Sequence, residues 1–597
     1  MTRNKQRKKS NRPSNWWYIW QLTRYKPWIY GTFGLMEILL FGVFPQLTGF
    51  VIQAIFNQLT GEVQTSFSLW ALASMVVAVA VGRGLAFFTD VLLYFTFQYS
   101  ITALLRCNIF DTILKRPGAK AIPESPGEAV SRFRDDAYEV AFFMSEMLIV
   151  LGFGFFTLVA LIVMLRTNVT ITLIIFLPLS LVILIANFAN KKITEYRRAS
   201  RKSTGMVTDF IGELFGAVQA VKVAGAEEKC IKHLESINET RRKASLKDVL
   251  FSQVLNSVFR NTADIFTGLI LLTAGSAMQS GNFSIGDLTL FVYYLSYVTD
   301  FTATIGDKIA WFKRMGVSID RMTHLLQDIS PKKLVKYTPV YLRGDLPEVP
   351  YFERTVEHHL ETLDVHDLTY KFPDTDRGVE DIELHLRRGS FTVITGRIGS
   401  GKSTLLQVLL GLLPAQSGEV FWNGKRVVNP GEFFVPPHSA YTPQVPLLFS
   451  ESIRDNILMG LPEDRMDLQG AIELAVLEQD LADIPDGLAA VIGAKGVKLS
   501  GGQRHRTAAA RMFVRSPSLL VFDDISSALD VETERILWER IFSQNQEATC
   551  LVVSHRKPAF HKADQIIVLN EGRIEAVGRL EDIMQTSAEM QKLWRAE

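Results

Sequence analysis

The sequence predicts a multidomain membrane protein, an all-α transmembrane domain of six helices followed by an α/β domain. Three observations carry this expectation. Long continuous apolar runs crowd the first 315 residues, the remainder alternates as a soluble α/β chain does, and a Pro- and Lys-rich stretch separates the two. The 48% of apolar residues is therefore an average over two unlike halves of a 597-residue chain.

Charge and cysteine usage exclude other classes. Against 64 basic residues stand 62 acidic ones, a net charge of +2, without the basic excess that a nucleic-acid binder needs. Cys107, Cys230 and Cys550 lie far apart in no ligand spacing, which argues against a disulfide framework or a zinc site and suits a reducing setting.

Residues 1–27 open the chain as a basic tail, Arg3, Lys5, Arg7, Lys8, Lys9 and Arg12, followed by Trp16, Trp17, Tyr18 and Trp20 at the head of an amphipathic segment. That pattern predicts an interfacial helix on an anionic, cytoplasmic leaflet. A signal peptide is the alternative, but the first apolar stretch is too long for one and no small-residue cleavage site follows it.

The transmembrane domain is expected over 28–326. Its spans are 28–56, 67–98, 138–165, 169–190, 248–278 and 285–312, continuous runs that read as helices and not as barrel strands. Stretches 57–66 and 279–284 carry no Lys or Arg, whereas 101–134 and 191–247 are dense with them. The positive-inside rule places these two long loops and both termini in the cytoplasm of a multi-pass protein of the plasma (inner) membrane. The loops hold few breakers, so the flanking helices should run on beyond the bilayer. Glu37, Arg83, Asp90 and Asp264 fall inside apolar spans, where an unpaired charge costs at least ~2.5 kcal/mol. They are candidates for a polar translocation path or for structural pairing between helices. A linker over 327–361, with Pro331, Pro339, Pro347 and Pro350, closes this half.

The soluble half, 362–597, contains an apolar strand, Thr392 to Thr395, then Gly396-Arg397-Ile398-Gly399-Ser400-Gly401-Lys402-Ser403-Thr404, then a helical pattern. Strand, glycine loop and helix in this order define a P-loop, and the domain is then an α/β P-loop nucleotide-binding domain. Backbone N–H groups can wrap a phosphate only where side chains are absent, and the following helix N-terminus favours its negative charge. Lys402 is placed to reach the β and γ phosphates and Ser403 to offer a hydroxyl to Mg²⁺. Asp523 ends the apolar strand Leu519-Leu520-Val521-Phe522 and is the second candidate for that metal, although a lone Asp after a strand is more often a helix cap.

Leu499-Ser500-Gly501-Gly502-Gln503 completes the pattern. Ser500 can cap a helix whose first N–H groups Gly501 and Gly502 leave open, a second anion-binding helix terminus. With the P-loop it makes the chain similar to the ATP-binding cassette (ABC) transporters, exporter-type half-transporters with one membrane domain fused to one cassette. The resemblance implies further roles. Gln444 in YTPQ looks like the Q-loop glutamine, which senses Mg²⁺ and the membrane domain; His555 in VVSHR like the switch histidine on the γ-phosphate; Asp530 in SALD like the D-loop aspartate. Phe372 takes the position of the adenine-stacking ring, with Tyr370 a core residue instead. The stretches 117–136 and 212–227 resemble loops that carry short coupling helices, the alternative being a generic solvated hairpin.

Two positions depart from the family pattern. Ala494 stands where exporters carry a glutamate before the signature. Asp524 stands where they carry the glutamate that polarises the attacking water. Aspartate is one methylene shorter, and a misplacement of ~1 Å costs on the order of a hundredfold in rate. With Lys402, Ser403, Gln444 and His555 present, ATP binding and some hydrolysis through Asp524 are still expected. In the family two cassettes pair head to tail, so the expected partners are a second half-transporter, as homodimer or heterodimer, membrane lipid, and a lipid, peptide, drug or siderophore substrate. The expected function is ATP-dependent export; an importer on the same fold, or a nucleotide-gated channel or regulatory subunit with a slow site, are the alternatives.

Overall fold

The computed structural model describes residues 13–596 apart from 62–66, 119–121, 124–125, 280–282, 328, 346, 348–353, 374, 494–498 and 545–547. Side chains at 175, 177–191, 194, 255–256, 258–260, 262–266, 276 and 303 are likewise not described. The basic residues of the tail, Ala494 and the Asp264 side chain therefore lie outside the described residues. The chain divides into two compact units, Met1–Phe110 with Glu124–Arg343, and Asp111–Pro123 with Gly344–Glu597.

The first unit is helical. The segment expected at the interface forms a helix, Asn15–Tyr25, capped by Ser14, whose side chain accepts from the Trp17 N–H. Tyr18, Ile19 and Leu22 are buried, while Trp16 and Trp20 stand exposed on the opposite face. Three runs beyond it are long and apolar enough to cross a membrane among the described residues: Pro27–Thr60, Leu69–Leu114 and Gly127–Thr167. Val169–Gly216, Glu227–Gln279 and Ile285–Leu325 then give helices of 48, 53 and 41 residues. A bilayer's ~30 Å needs only ~20 residues, so helices of this length extend well beyond it, as expected. The last helix is too rich in Tyr and Thr to match the first three in apolarity. Its hydroxyls turn back onto its own backbone, Thr289 Oγ1 to Ile285 O and Thr299 Oγ1 to Leu295 O, each at 2.9 Å.

The first membrane run is not a regular helix. A π turn at Leu39–Val43 joins Pro27–Ile38 to Phe44–Thr60, and just before it the Glu37 carbonyl comes so close to Gly152 that a Cβ there would collide with it. Glu37 and Asp90 are both buried, and Lys308 pairs with Glu146 at 2.7 Å. Arg83 is exposed. The stretch 212–227 contains a short helix, Val218–Val223, ended by Gly225 in the left-handed region.

The second unit holds two sheets. An antiparallel one runs in the order β2-β1-β4-β5, formed by Thr362–Lys371 (β1), Gly378–Arg387 (β2), Ser417–Trp422 (β4) and Lys425–Arg426 (β5). The other runs β10-β9-β3-β8-β7-β6, formed by Phe391–Thr395 (β3), Ser439–Thr442 (β6), Leu519–Asp523 (β7), Thr549–Val553 (β8), Gln565–Asn570 (β9) and Arg573–Gly578 (β10). From β9 to β6 every neighbour is parallel.

Strand periodicity divides this unit's apolar residues between two cores. Val393, Leu520, Phe522, Cys550, Val552 and Ile566 face one of them, with Trp538 and Phe560. Their chain neighbours Ile394, Leu519, Val521, Leu551, Val553 and Ile567 face the other, with Leu405, Leu406 and Leu409 of the helix Lys402–Leu409. Every residue of β3, β7 and β8 is buried, which is why these strands read as unbroken apolar runs. Full burial of each such side chain is worth about 1.5–3 kcal/mol, so the sheet centre is the stable frame on which the loops are mounted.

Candidate functional site

Parallel pairing brings four distant segments to one edge. β3 lies beside β8, with Ile394 opposite Val553; β8 lies beside β7, with Val553 opposite Asp523; β7 lies beside β6, with Phe522 opposite Thr442. All these strands point the same way, so the loops after them emerge side by side. The loop from Gly396, Asp523 with Asp524, His555 and Gln444 thus share the carboxyl end of one sheet, where open α/β sheets bind ligands.

The glycine loop has the geometry its composition requires. Gly396, Gly399 and Gly401 have φ of 145°, 86° and 103°, and a Cβ on Gly396 would strike the Leu569 carbonyl. Lys402 is buried at the head of its helix, and its Nζ donates to Gly396 O at 2.7 Å and Arg397 O at 2.8 Å. Burial pushes the Lys402 amine below its ordinary value, with Asp524 and Asp523 opposing. Among the described residues, Ser400 Oγ is buried without a hydrogen-bond partner, a polar atom that a ligand oxygen would satisfy. Ile398 is fully exposed, Thr404 half-buried, and Arg397 pairs through Nε with the buried Glu589 at 2.6 Å.

Ser403 and Asp523 come together as the metal candidates. Ser403 Oγ donates to Asp523 Oδ1 at 3.0 Å, and the Tyr441 hydroxyl donates to Oδ2 at 3.3 Å. Burial raises the Asp523 carboxyl from its ordinary value, the two hydroxyl bonds opposing. One hydroxyl with one carboxylate is the small donor set with which Mg²⁺ usually joins substrate phosphates. Asp524 follows in the left-handed region, φ 58° and ψ 47°, and Gln444 Nε2 donates to its Oδ2 at 3.3 Å. Burial and Lys402 lower the His555 imidazole, against the pull of Asp524.

The signature forms a capping box. Ser500 Oγ accepts from Gln503 N at 3.2 Å, and Gln503 Oε1 accepts from Ser500 N at 2.9 Å, opening the helix Gly501–Phe513. Gly501 stands exposed and Gly502 half-buried in the first turn. Leu499 is buried in the core and anchors the motif from below. Asp530 caps the helix Val531–Gln544, accepting from Thr533 N at 2.9 Å and Thr533 Oγ1 at 2.6 Å. Phe372 follows β1 with its ring partly exposed, 5.1 Å edge-on from Tyr370, which is buried as the sequence suggested.

Three contributors were not visible in the sequence. Tyr441 is one, because its reach to Asp523 depends on β6 lying beside β7. Glu534 is another: buried, it accepts from Ser526 Oγ at 2.5 Å and Arg556 Nη1 at 2.9 Å, while Arg556 Nη2 holds Leu529 O at 2.8 Å. The segment after β7 and the segment carrying His555 are thereby stapled together. His505 is the third, a buried ring between Gly501 and Gln444.

The fold and this edge define a P-loop ATPase joined to a helical membrane domain. Residues 28–300 match the family "ABC transporter transmembrane region" and residues 379–527 match the family "ABC transporter". The chain belongs to the ABC transporters, with an ATP hydrolase coupled to a transmembrane transport domain. It is 27% identical over 530 residues to an ATP-dependent lipid A-core flippase of Pseudomonas fluorescens, covering 86% of this chain and 84% of the relative. It is 26% identical to the ABC transporter ATP-binding protein YwjA of Bacillus subtilis, covering 83% and 84%. The multidrug resistance-like ATP-binding protein MdlA of Buchnera aphidicola is 23% identical, covering 96% and 95%. In fold the chain is similar to a bacterial Atm1-family ABC exporter solved with ATP bound, with a TM-score of 0.72 at 19% identity, covering 95% of this chain and 98% of that one.

Proposed function

We propose that this chain is one half of an ATP-driven exporter, in which two cassettes pair so that the signature of each completes the other's ATP site. The convergence of Lys402, Ser403, Asp523, Asp524, Gln444 and His555 on one sheet edge carries the reading. Bound ATP with Mg²⁺ supplies the γ-phosphate whose loss resets the cycle. Lys402 gives positive charge to the phosphates, and the loop Gly396–Gly401 offers them N–H groups. Ser403 and Asp523 would hold Mg²⁺. Asp524 orients water, Gln444 reports the state of the site to the membrane half, and His555 donates to the transferred group. Phe372 offers a ring to the base, and Asp530 faces the partner cassette.

Export of an amphipathic lipid is the favoured direction and substrate class, because lipid A-core flippases recur among relatives that the chain covers by more than four fifths. Exposed apolar side chains follow Gln444 at Val445, Leu447 and Phe449, and others lie at Phe215, Val218 and Val223 near the short helix Val218–Val223. Exposed apolar surfaces of this kind are where further protein segments pack. The protein sits in the inner membrane with both termini in the cytoplasm.

Reconstitution tests this. Vanadate-sensitive ATPase by the purified chain alone, abolished in Lys402→Ala, with ATP-dependent movement of a labelled lipid, is the result expected of a homodimer. Turnover that appears only with a second half-transporter makes the pump a heterodimer. Nucleotide-dependent ion conductance without lipid movement overturns export.

A further inference from the structure

The helix that begins at the signature carries, one turn in, a side chain that touches the backbone of two functional segments. His505 Nδ1 lies 3.0 Å from Gly501 O, and Nε2 lies 2.9 Å from Gln444 O. The residue is buried. Gly501 is inside the signature and Gln444 is in the loop after β6; both contacts are to carbonyl acceptors, so a neutral ring gives its single N–H to one of them, and the tautomer protonated at Nε2 donates to Gln444 O. The spacing explains the arrangement. A residue four positions after Gly501 sits directly above it on the helix, so one ring nitrogen lies over that carbonyl while the far nitrogen projects off the helix toward the loop.

Arg511, further along, fastens the same loop a second time, from Nη1 to Leu447 O at 3.1 Å, and its Nε donates to Asn456 O of the next helix, Ile453–Leu458, at 2.8 Å. Arg506 instead faces Asp480, forming two bonds at 2.6 and 2.8 Å, and leaves the loop alone. The contact made by His505 is to the Gln444 main chain. The Gln444 side-chain amide is engaged separately, with Asp524 at 3.3 Å. A shift of the loop relative to the helix therefore moves that amide against Asp524, and His505 sets the loop's position at the residue itself.

We propose that His505 is a positioning residue that keeps the Gln444 loop in step with the signature helix. On the paired-cassette reading, on which this inference rests, Gln444 serves the chain's own ATP and the signature serves the partner's. The ring then joins the two sites within one cassette, and the state of one is felt at the other.

The test uses the full chain in lipid nanodiscs as wild type, His505→Gln, His505→Asn and His505→Leu. It reads kcat, KM and Hill coefficient for ATP, affinity for a fluorescent ATP analogue, and particle mass. The glutamine amide still reaches a carbonyl, so kcat is expected within about twofold of wild type. Loss of the hydrogen bond to the part-buried Gln444 carbonyl in the Asn and Leu variants is expected to lower kcat about tenfold and bring the Hill coefficient to about one. KM and analogue affinity should stay within about twofold, because no group on the bound nucleotide is removed. Dimeric His505→Leu with wild-type kcat and cooperativity overturns the proposal, as does an equal loss in His505→Gln. If His505→Leu does not fold, His505→Asn, polar and one methylene shorter than Gln, carries the same comparison. A wild-type protein that turns over as a monomer without cooperativity overturns the paired reading instead, whatever the variants do.

Discussion

Gln444 Nε2 donates to Asp524 Oδ2 at 3.3 Å, joining the loop after β6 to the residue after β7. Asp524 holds φ 58° and ψ 47°, a left-handed conformation that short aspartate tolerates better than longer side chains. Its backbone N–H is bonded to Val553 O at 3.1 Å, so that conformation is set by the sheet edge. The site is thus built around an aspartate whose carboxylate is already placed by a neighbour.

Substitution at this position separates charge from reach. Asp524→Asn is expected to lower ATPase turnover on the order of a hundredfold while nucleotide still binds, because the carboxylate proposed to orient water is lost and the phosphate contacts are not. Asp524→Glu restores the missing methylene, and turnover at the chain's own site should rise, with a small loss of thermal stability because glutamate tolerates the left-handed backbone less well than aspartate. Steady-state ATPase with parallel nucleotide-binding measurements checks both. Unchanged turnover in Asp524→Glu would show that aspartate reaches the water already.

The phosphate loop allows a steric prediction. At Gly396, φ is 145° and a methyl group would collide with the Leu569 carbonyl. Gly396→Ala is therefore expected to disrupt the loop and reduce ATP affinity at least as much as Lys402→Ala, although it removes no charge. Binding of a fluorescent ATP analogue to the two variants makes the comparison.

His555 should make the cassette's stability depend on pH. Burial and Lys402 push its imidazole below the ordinary value near about 6.5, so it is neutral at pH 7 and takes up a proton only on acidification. A base depressed in the folded state supports folding above its unfolded value, and that support is lost as pH falls through the folded value. Thermal stability should be level from about pH 7 to 8 and fall on acidification below about pH 6.5, and His555→Gln should lessen that fall. Thermal unfolding of wild type and variant across this pH range reads it.

The three cysteines differ in access. Cys107 is exposed, Cys230 is half-buried, and Cys550 is wholly buried in β8 with its thiol pushed up to about 12. A maleimide at neutral pH should label Cys107 first and leave Cys550 untouched until the cassette unfolds. Mass spectrometry of labelled peptides over time distinguishes them. Early labelling of Cys550 would mean that the sheet centre opens.

The P-loop, the signature and the apolar spans could be read from the chain because each is local. Gly396 to Ser403 specify their own turn and helix start, Ser500 and Gln503 cap their own helix, and an apolar run of sufficient length names its solvent. Long-range pairing left no such trace. Tyr441 is three residues from Gln444 in sequence, yet its partner Asp523 is known only once β6 lies beside β7. His505 reads as one more polar residue in an Arg-rich helix, and Glu534 as a surface glutamate until Ser526, Arg556 and Trp538 close around it.

By itself the sequence determined the two-part architecture, the phosphate-binding loop and the departure at Asp524. Those features depend on residue type over a few consecutive positions, through backbone conformation, capping and hydrophobic length. The tertiary structure alone decided which side chains act together. Strand order aligned the ends of β3, β7, β8 and β6, and the left-handed backbone at Asp524 aimed its carboxylate at Gln444. Hydrogen bonds are directional and reach only about 3 Å, so contacts between residues far apart in the chain exist only after the sheet has assembled.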